Sequence, residues 1–357
     1  MKCKKCGGRA VLELRRHNAA FCADDFLGFF RHHVLETVRR WKMLARDERV
    51  LVAVSGGKDS LALWDVLHDE GYRTAGLYID LGIFAYSTES RAKCEAFARD
   101  RGVPLVVVSV RAEVGAAIPD VRERTRRPAC SACGLSKRYI MNRSALEGGY
   151  DVVATGHNLD DEAATLLGST LRWDESALAR QSPVLEATHP KLVRRVKPLF
   201  RLSERETAAY AFLRGIDYIV EECPFARGAT SITHKEALNR LEDASPGTKA
   251  AFFLSFLERA RGRFQALDGV TLTECVRCGQ TTTGEVCAFC KLGDQVRRNQ
   301  AVTPRAADST AGGTVATARA PLAPGPDAGG GDVEPTDPPD LRGLIADLAA
   351  QSEIHAS

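Results

Sequence analysis

Arg49-Val50-Leu51-Val52-Ala53-Val54-Ser55-Gly56-Gly57-Lys58-Asp59-Ser60 is the stretch that decides the fold. Val50 to Val54 is apolar and largely β-branched, and reads as a buried parallel strand. Two glycines and a helix-forming segment from Leu61 to Glu70 then predict a strand–loop–helix turn. Such a turn aims free backbone N–H groups and the positive end of a helix at one point, which suits phosphate. The Gly-x4-Gly-Lys-Ser/Thr spacing of a Walker A loop is absent.

Working outward, strand and helix signals alternate. Strands are predicted over 49–55, 74–80, 104–110 and 151–156, and helices over 59–70, 87–101, 133–147 and 160–172. Repeated β–α alternation predicts an α/β fold, a doubly wound parallel sheet. Ligands of such sheets bind beyond the carboxyl ends of the strands, where Ser55, Ile79 and Gly156 would sit. Ser55-Gly56-Gly57-Lys58-Asp59-Ser60 resembles the PP-loop of the ATP pyrophosphatases, whose fold is adenine nucleotide alpha hydrolase-like. The resemblance implies cleavage of ATP to AMP and pyrophosphate with activation of a carbonyl oxygen as an adenylate.

The flanks divide by composition. Residues 1–26 read as an N-terminal zinc finger and 27–48 as a linking helix. Phe30, Val34, Val38 and Trp41 stand near helical spacing within an amphipathic span from Phe26 to Asp47. The core runs over 49–200. Residues 201–270 read as a helical extension with one strand, Asp217 to Val220, and 271–295 as a second zinc finger. Residues 296–357 are rich in Ala, Gly, Pro, Thr and Asp without periodicity and are expected to be disordered. Within them, Leu341 to Ala350 could form a short amphipathic helix.

At 357 residues, 27% charged and 44% apolar, the chain has an ordinary globular composition. No apolar stretch reaches membrane-spanning length. Met1-Lys2-Cys3-Lys4-Lys5-Cys6 opens a cysteine motif and lacks a signal-peptide core, so a cytoplasmic location is expected. The net charge is +3, yet residues 296–357 carry five Arg against eight Asp or Glu, which leaves the body near +6. Arg111, Arg122, Arg124, Arg126 and Arg127 form one basic group; Arg194, Arg195 and Lys197 form a second. Such groups can hold a phosphate backbone, and singly each reads as a solvated face.

The eleven cysteines fall mainly into Cys-x-x-Cys pairs, which in a reducing compartment suggest metal before disulfide. Cys275, Cys278, Cys287 and Cys290 match a closed tetrahedral zinc site. Cys3, Cys6 and Cys22 supply three ligands of another; Asp25, His17, His32 and His33 are candidates for the fourth. Asp25 lies three residues after Cys22, on the same helix face. Cys130 and Cys133 lack a second pair nearby, and Cys223 is the remaining partner. Three cysteines suit a 4Fe–4S cluster with one iron free for an exogenous ligand. A three-cysteine zinc site and a catalytic Cys130–Cys133 disulfide compete with that reading. Cys94 reads as an inert core thiol.

Roughly residues 1–295 resemble the two-zinc-finger PP-loop tRNA 2-thiouridine synthetases, and within them the enzymes that thiolate ribothymidine in the T-loop. The resemblance rests on Cys3/Cys6/Cys22, Ser55–Ser60, Pro128-Ala129-Cys130-Ser131-Ala132-Cys133-Gly134-Leu135-Ser136-Lys137-Arg138-Tyr139, Thr155-Gly156-His157-Asn158-Leu159-Asp160-Asp161-Glu162-Ala163, Cys223-Pro224 and the C-terminal cysteine quartet. The family usually has His three residues after Cys22, where this chain has Asp25.

The resemblance implies adenylation of uridine followed by sulfur transfer. Ala53, Ser55, Gly56, Gly57 and Ser60 would hold ATP, with Ile79 and Gly156 close to the nucleotide. Asp59 would bind magnesium or position the loop. Lys58 and Lys137 would stabilise phosphoryl charge, and Asp161 would act as metal ligand or as base for the uridine N3 proton. A cluster on Cys130, Cys133 and Cys223 would carry the sulfur. Implied partners are tRNA, a ubiquitin-like carrier with a C-terminal thiocarboxylate, and a second copy in a homodimer. Wobble-uridine thiolases share the layout. A different PP-loop ligase and a zinc-dependent RNA-binding protein without catalysis are the alternatives from other classes.

Overall fold

The structure is a computed structural model, and it describes residues 1–264 and 271–300. A hairpin of β1 (Leu12–Leu14) and β2 (Ala19–Phe21) leads into α1 (Ala23–Arg40). Asp24 and Asp25 in its first turn favour an early start. The helix stops at Arg40 instead of running to Asp47, because Lys42 takes a left-handed conformation, φ 48°.

The alternating section follows: β3 (Arg49–Val54), α2 (Lys58–Asp69), β4 (Arg73–Asp80), α3 (Phe84–Asp100) and β5 (Leu105–Ser109). The strand expected over 104–110 ends at Ser109. Val110 opens α4 (Val110–Val114), because it and Val114, one turn apart, are both fully buried. Next come α5 (Ile118–Thr125), α6 (Ala129–Glu147), β6 (Val152–Thr155), α7 (Leu159–Leu171), α8 (Glu175–Arg180), β7 (Val184–Leu185) and β8 (Arg194–Val196). The extension holds α9 (Glu204–Leu213), α10 (Thr230–Ala244) and α11 (Thr248–Ser255). The C-terminal module holds β9 (Thr273–Glu274), β10 (Thr281–Thr282) and α12 (Ala288–Gln300). That last helix passes the boundary expected at residue 295, since Val296 is fully buried on it. The expected disorder beyond residue 300 and the Leu341 to Ala350 helix lie outside the described residues. No described helix is long and apolar enough to cross a membrane.

The main sheet has the order β5-β4-β3-β6-β8-β7, parallel except for β7. The chain leaves β3 toward β4 and β5, then returns through α6 to place β6 on the opposite side of β3. This reversal creates a crevice at the carboxyl end of β3, the place where open α/β sheets bind ligands. Alternation along the strands sends Leu51, Leu77, Ile79 and Val153 into one core with Ile118, Val121, Ile140 and Val296. That core joins α5, α6 and α12 to the sheet.

Asp217 to Val220 is not a strand. Its backbone is used otherwise: Ile219 N–H donates to the carbonyl of Gly56 at 2.9 Å, which ties the extension to the loop after β3.

The extension is anchored by a buried charge. Asp65, fully buried on α2, accepts from Arg101 Nε (2.5 Å), Tyr210 Oη (2.7 Å) and Arg214 Nε (2.8 Å). Burial raises the cost of this carboxylate, but hydrogen bonds from Arg214 and Tyr210 with the charge of Arg101 hold its pKa below the usual value. Asp65→Ala strands two guanidinium groups and a phenol. Chemical denaturation of that variant is expected to show a loss of about 3 kcal/mol; a loss below about 1 kcal/mol would contradict the anchoring role.

Candidate active site and metal centres

The loop after β3 is built by its own side chains. Gly56 has φ +80°, and a Cβ there would stand 2.5 Å from the carbonyl oxygen of Ser90, so only glycine fits. Ser60 Oγ accepts from Ser55 N–H (3.1 Å) and donates to the Gly57 carbonyl (3.0 Å). Gly57 is the N-cap of α2 and offers no side chain to its first amides. Those amides and the positive helix end face the crevice, the arrangement that binds phosphate. Ala53 and Ile79 lie at the carboxyl ends of β3 and β4. Gly156 follows β6 and lies against the loop: a Cβ would meet the backbone of Asp59 and Ser60 at 2.8 Å.

Three carboxylates and two ammonium groups gather here. Lys58 Nζ is 3.3 Å from Asp59 Oδ2 and 2.7 Å from Glu204 Oε1. Lys235 Nζ is 2.7 Å from Asp161 Oδ1 and 3.2 Å from Glu204 Oε2. Asn158 Nδ2 donates to Asp59 Oδ1 at 3.0 Å. Burial and the carboxylates of Glu204 and Asp161 raise the pKa of Asp59 in spite of Lys58. Burial works against Glu204 too, but Lys58 and Lys235 hold it at about 2. Both lysines are raised, because Asp59, Asp161 and Glu204 outweigh their burial. Asp161 also closes a capping box with Asn158 at the start of α7, so it serves the helix as well as the site. His157 Nδ1 lies 2.8 Å from Thr155 Oγ1, and burial lowers its pKa.

Helix α6 carries Cys130, Cys133 and, one turn later, Lys137. Burial pushes the Cys133 thiol up, Lys137 pulls it down, and Cys223 and Cys130 add to the rise. Cys130 Sγ donates to the carbonyl of Phe225 at 3.3 Å. Beside it Arg122, Arg126, Arg127 and Arg227 line a cavity of about 510 Å³ with Pro224 and Phe225. The second basic group behaves differently. Arg194 pairs with Glu48, and Lys197 with Glu162 at 2.6 Å, so these two are held in internal ion pairs and not on a solvated face.

Among the described residues, two sets of four ligand atoms lie within 4.8 Å of one another: Cys3, Cys6, Cys22 and Asp25, and Cys275, Cys278, Cys287 and Cys290. The Cys6–Cys22 and Cys278–Cys287 sulfurs are both 3.7 Å apart. Two sulfurs at about 2.3 Å from one tetrahedral zinc stand about 3.8 Å apart, so both sets fit that ion. Asp25 Oδ2 accepts from Cys3 (3.0 Å) and Cys22 (3.2 Å), and contacts with Cys3, Cys6 and Cys22 lower its pKa to about 2. The histidines considered beside it are elsewhere: His17 bonds to Glu206, His32 faces Glu36, and His33 packs at a tilt against Phe29. Cys130, Cys133 and Cys223 form no such single-ion set. Cys94 is buried, as a core thiol should be.

Glu204, Lys235 and Asn158 escaped the sequence reading as functional residues. Ser203-x-x-Glu206 forms a capping box that marks the start of α9 and so locates Glu204. Lys235 carries no local signal.

A family model described as a PP-loop domain matches residues 30–224, and one described as the 2-thiouridine synthetase TtuA N-terminal LIM domain matches residues 2–27. The chain is 52% identical to a tRNA-5-methyluridine(54) 2-sulfurtransferase of Thermus thermophilus, across 84% of this chain and 92% of the relative. A protein of the same name from Pyrococcus horikoshii is 43% identical across 82% and 93%. Among solved structures, the U34-tRNA thiolase NcsA from Methanococcus maripaludis with its [4Fe-4S] cluster superimposes with TM-score 0.72 at 28% identity, covering 82% of this chain and 96% of that one.

Gly156→Ala must push β6 away from the loop. Misplacement on the scale of ~1 Å can cost about 100-fold in rate, so ATP-dependent AMP release should fall at least about 10-fold with the fold intact by circular dichroism. Retention of more than half the rate would show that the close approach is not needed.

Proposed function

The chain belongs to the PP-loop tRNA 2-thiouridine synthetases, and we propose that it thiolates 5-methyluridine in the T-loop of tRNA, using ATP to activate the C2 carbonyl. The high identity to two sulfurtransferases named for position 54 carries this reading. The likeness to a U34 thiolase favours the anticodon wobble uridine as the second reading.

In this reading the amides at the start of α2, with Ser55, Gly56, Gly57 and Ser60, hold the ATP phosphates. Ala53, Ile79 and Gly156 take the adenosine end. Uridine O2 attacks the α-phosphorus and pyrophosphate leaves. Asp59 and Asp161 supply oxygen ligands for magnesium, which suits a site of carboxylates beside phosphates. Lys58 and Lys137 bring positive charge to the phosphoryl oxygens as negative charge builds. Sulfur then attacks C2 and AMP leaves.

Cys130, Cys133 and Cys223 are assigned as ligands of a 4Fe–4S cluster, which when bound supplies one iron free to accept sulfur. The likeness to a thiolase solved with its [4Fe-4S] cluster favours a cluster over zinc here. Zinc is assigned to the Asp25 site and to the C-terminal quartet, on the 3.7 Å sulfur spacing. The four arginines beside Cys130 suit the phosphates of a tRNA strand whose target base has left its stack. A ubiquitin-like thiocarboxylate carrier is the proposed sulfur source.

The test is nucleoside mass spectrometry of tRNA after anaerobic incubation with ATP, sulfide and the reconstituted enzyme. The expected product is 2-thio-5-methyluridine at position 54, with Asp59→Ala and Lys137→Ala each inactive. Thiolation at the wobble position would favour the second reading, and no thiolated nucleoside at all would overturn both.

A further inference from the structure

Glu204 and Lys235 belong to none of the motifs that define the site, yet they complete its charge pattern. The order through space is Asp59–Lys58–Glu204–Lys235–Asp161, each neighbouring pair between 2.7 and 3.3 Å apart. Asp59, Asp161 and Glu204 stand in the first turns of α2, α7 and α9. Three helix N-termini therefore meet at one place, each stabilising negative charge. Lys235 arrives from a fourth helix, α10. Its neighbours there fix that helix independently: a Cβ on Gly168 of α7 would stand 2.7 Å from the His234 ring, and Leu238 packs on Ala163 and Ala164.

The ammonium of Lys235 bridges two carboxylates and its side chain remains partly open to solvent, 28% exposed. A brace between α10 and the body would need only one partner. With both lysines charged and three carboxylates ionised, the ligand-free cluster has one net negative charge. Such a cluster can take the triphosphate of ATP when a divalent cation offsets the carboxylates and the lysines turn to the phosphates. Lys58 already sits in the loop, on one side of Glu204. Lys235 is on the other side of Glu204, with its ammonium shared between Glu204 and Asp161.

We propose that Lys235 is a ligand of the β- and γ-phosphates of ATP, parked on Asp161 and Glu204 while the site is empty. The inference rests on the reading of the Ser55–Ser60 loop as an ATP site. Transfer of Lys235 to the phosphates leaves the Asp161 and Glu204 oxygens available to a divalent cation. It also sets a second ammonium opposite Lys58 on the group that departs. In the adenylation step the bond from the α-phosphorus to the bridging oxygen breaks, and the electron pair leaves with pyrophosphate. Positive charge at that end is worth most when the bond is breaking.

ATP and AMP separate this role from a structural one, because AMP lacks the phosphates that Lys235 would touch. Isothermal titration of a non-hydrolysable ATP analogue and of AMP, both with magnesium, should be run on the wild type, Lys235→Ala and Lys235→Arg. A charge-assisted hydrogen bond of the usual strength predicts that Lys235→Ala weakens the ATP analogue about 10-fold or more. AMP should stay within about twofold, which also reports an intact site, and Lys235→Arg should recover most of the loss. Unchanged analogue affinity, or equal losses for analogue and AMP, would overturn the role of Lys235 while leaving the ATP site standing. A wild type that binds neither nucleotide would overturn the ATP reading itself.

Discussion

The contact on which the site depends is the backbone-to-backbone approach of Gly156 to Asp59 and Ser60. β6 is hydrogen-bonded to β3 through the register Ala53↔Thr155, so the chain after Thr155 must run past the phosphate loop. A side chain at position 156 would separate the two by its own thickness. With glycine there, α2 and α7 start side by side, and Asn158 can cap α7 and also hold Asp59. The charge cluster follows from that spacing. Asp161 and Asp59 come close enough for burial and mutual repulsion to raise the pKa of Asp59, and the lysines offset the excess negative charge.

The cysteine-bearing helix is positioned from the other side. Tyr139 of α6 stacks on Phe289 of α12, with centroids 3.8 Å apart. Gln295 and Asn299 of α12 donate to the backbone of Thr125 and Arg124, where α5 ends before the turn into α6. The C-terminal cysteine quartet closes the loop that leads into α12. The quartet is thereby joined, through α12, to the helix that carries Cys130, Cys133 and Lys137. The N-terminal module is docked similarly, through Arg16 and His17 on the buried Glu206 of α9.

Much of this was legible in the sequence, because the informative signals were local. The loop Ser55–Ser60 with its flanking strand and helix, the Thr155–Asp161 run and the Cys-x-x-Cys pairs each have a fixed spacing set by one turn or one strand. Asp25 was among the candidates for the first metal set because residues three apart share a helix face. Only the fold removes His17, His32 and His33, each engaged elsewhere. Glu204 and Lys235 were not legible as site residues, since their meeting depends on how α9 and α10 pack against the sheet. The apolar run Asp217 to Val220 misled for the opposite reason. Tyr218, Ile219 and Val220 are residue types that favour strands, but the carbonyl that Ile219 binds belongs to the loop after β3, and the segment joins no sheet among the described residues. Arg194 and Lys197 looked like surface charge because their partners Glu48 and Glu162 are distant in sequence.

The chain holds two kinds of cysteine group: two single-ion sets, and Cys130 and Cys133 at the start of α6 with Cys223 as the proposed third member. Iron, acid-labile sulfide and zinc should be measured after anaerobic reconstitution of the wild type and of Cys223→Ser. About four irons per wild-type chain are expected beside about two zincs, with iron falling sharply in the variant and zinc unchanged. Zinc without iron in the wild type, or iron that survives Cys223→Ser, would contradict the cluster assignment.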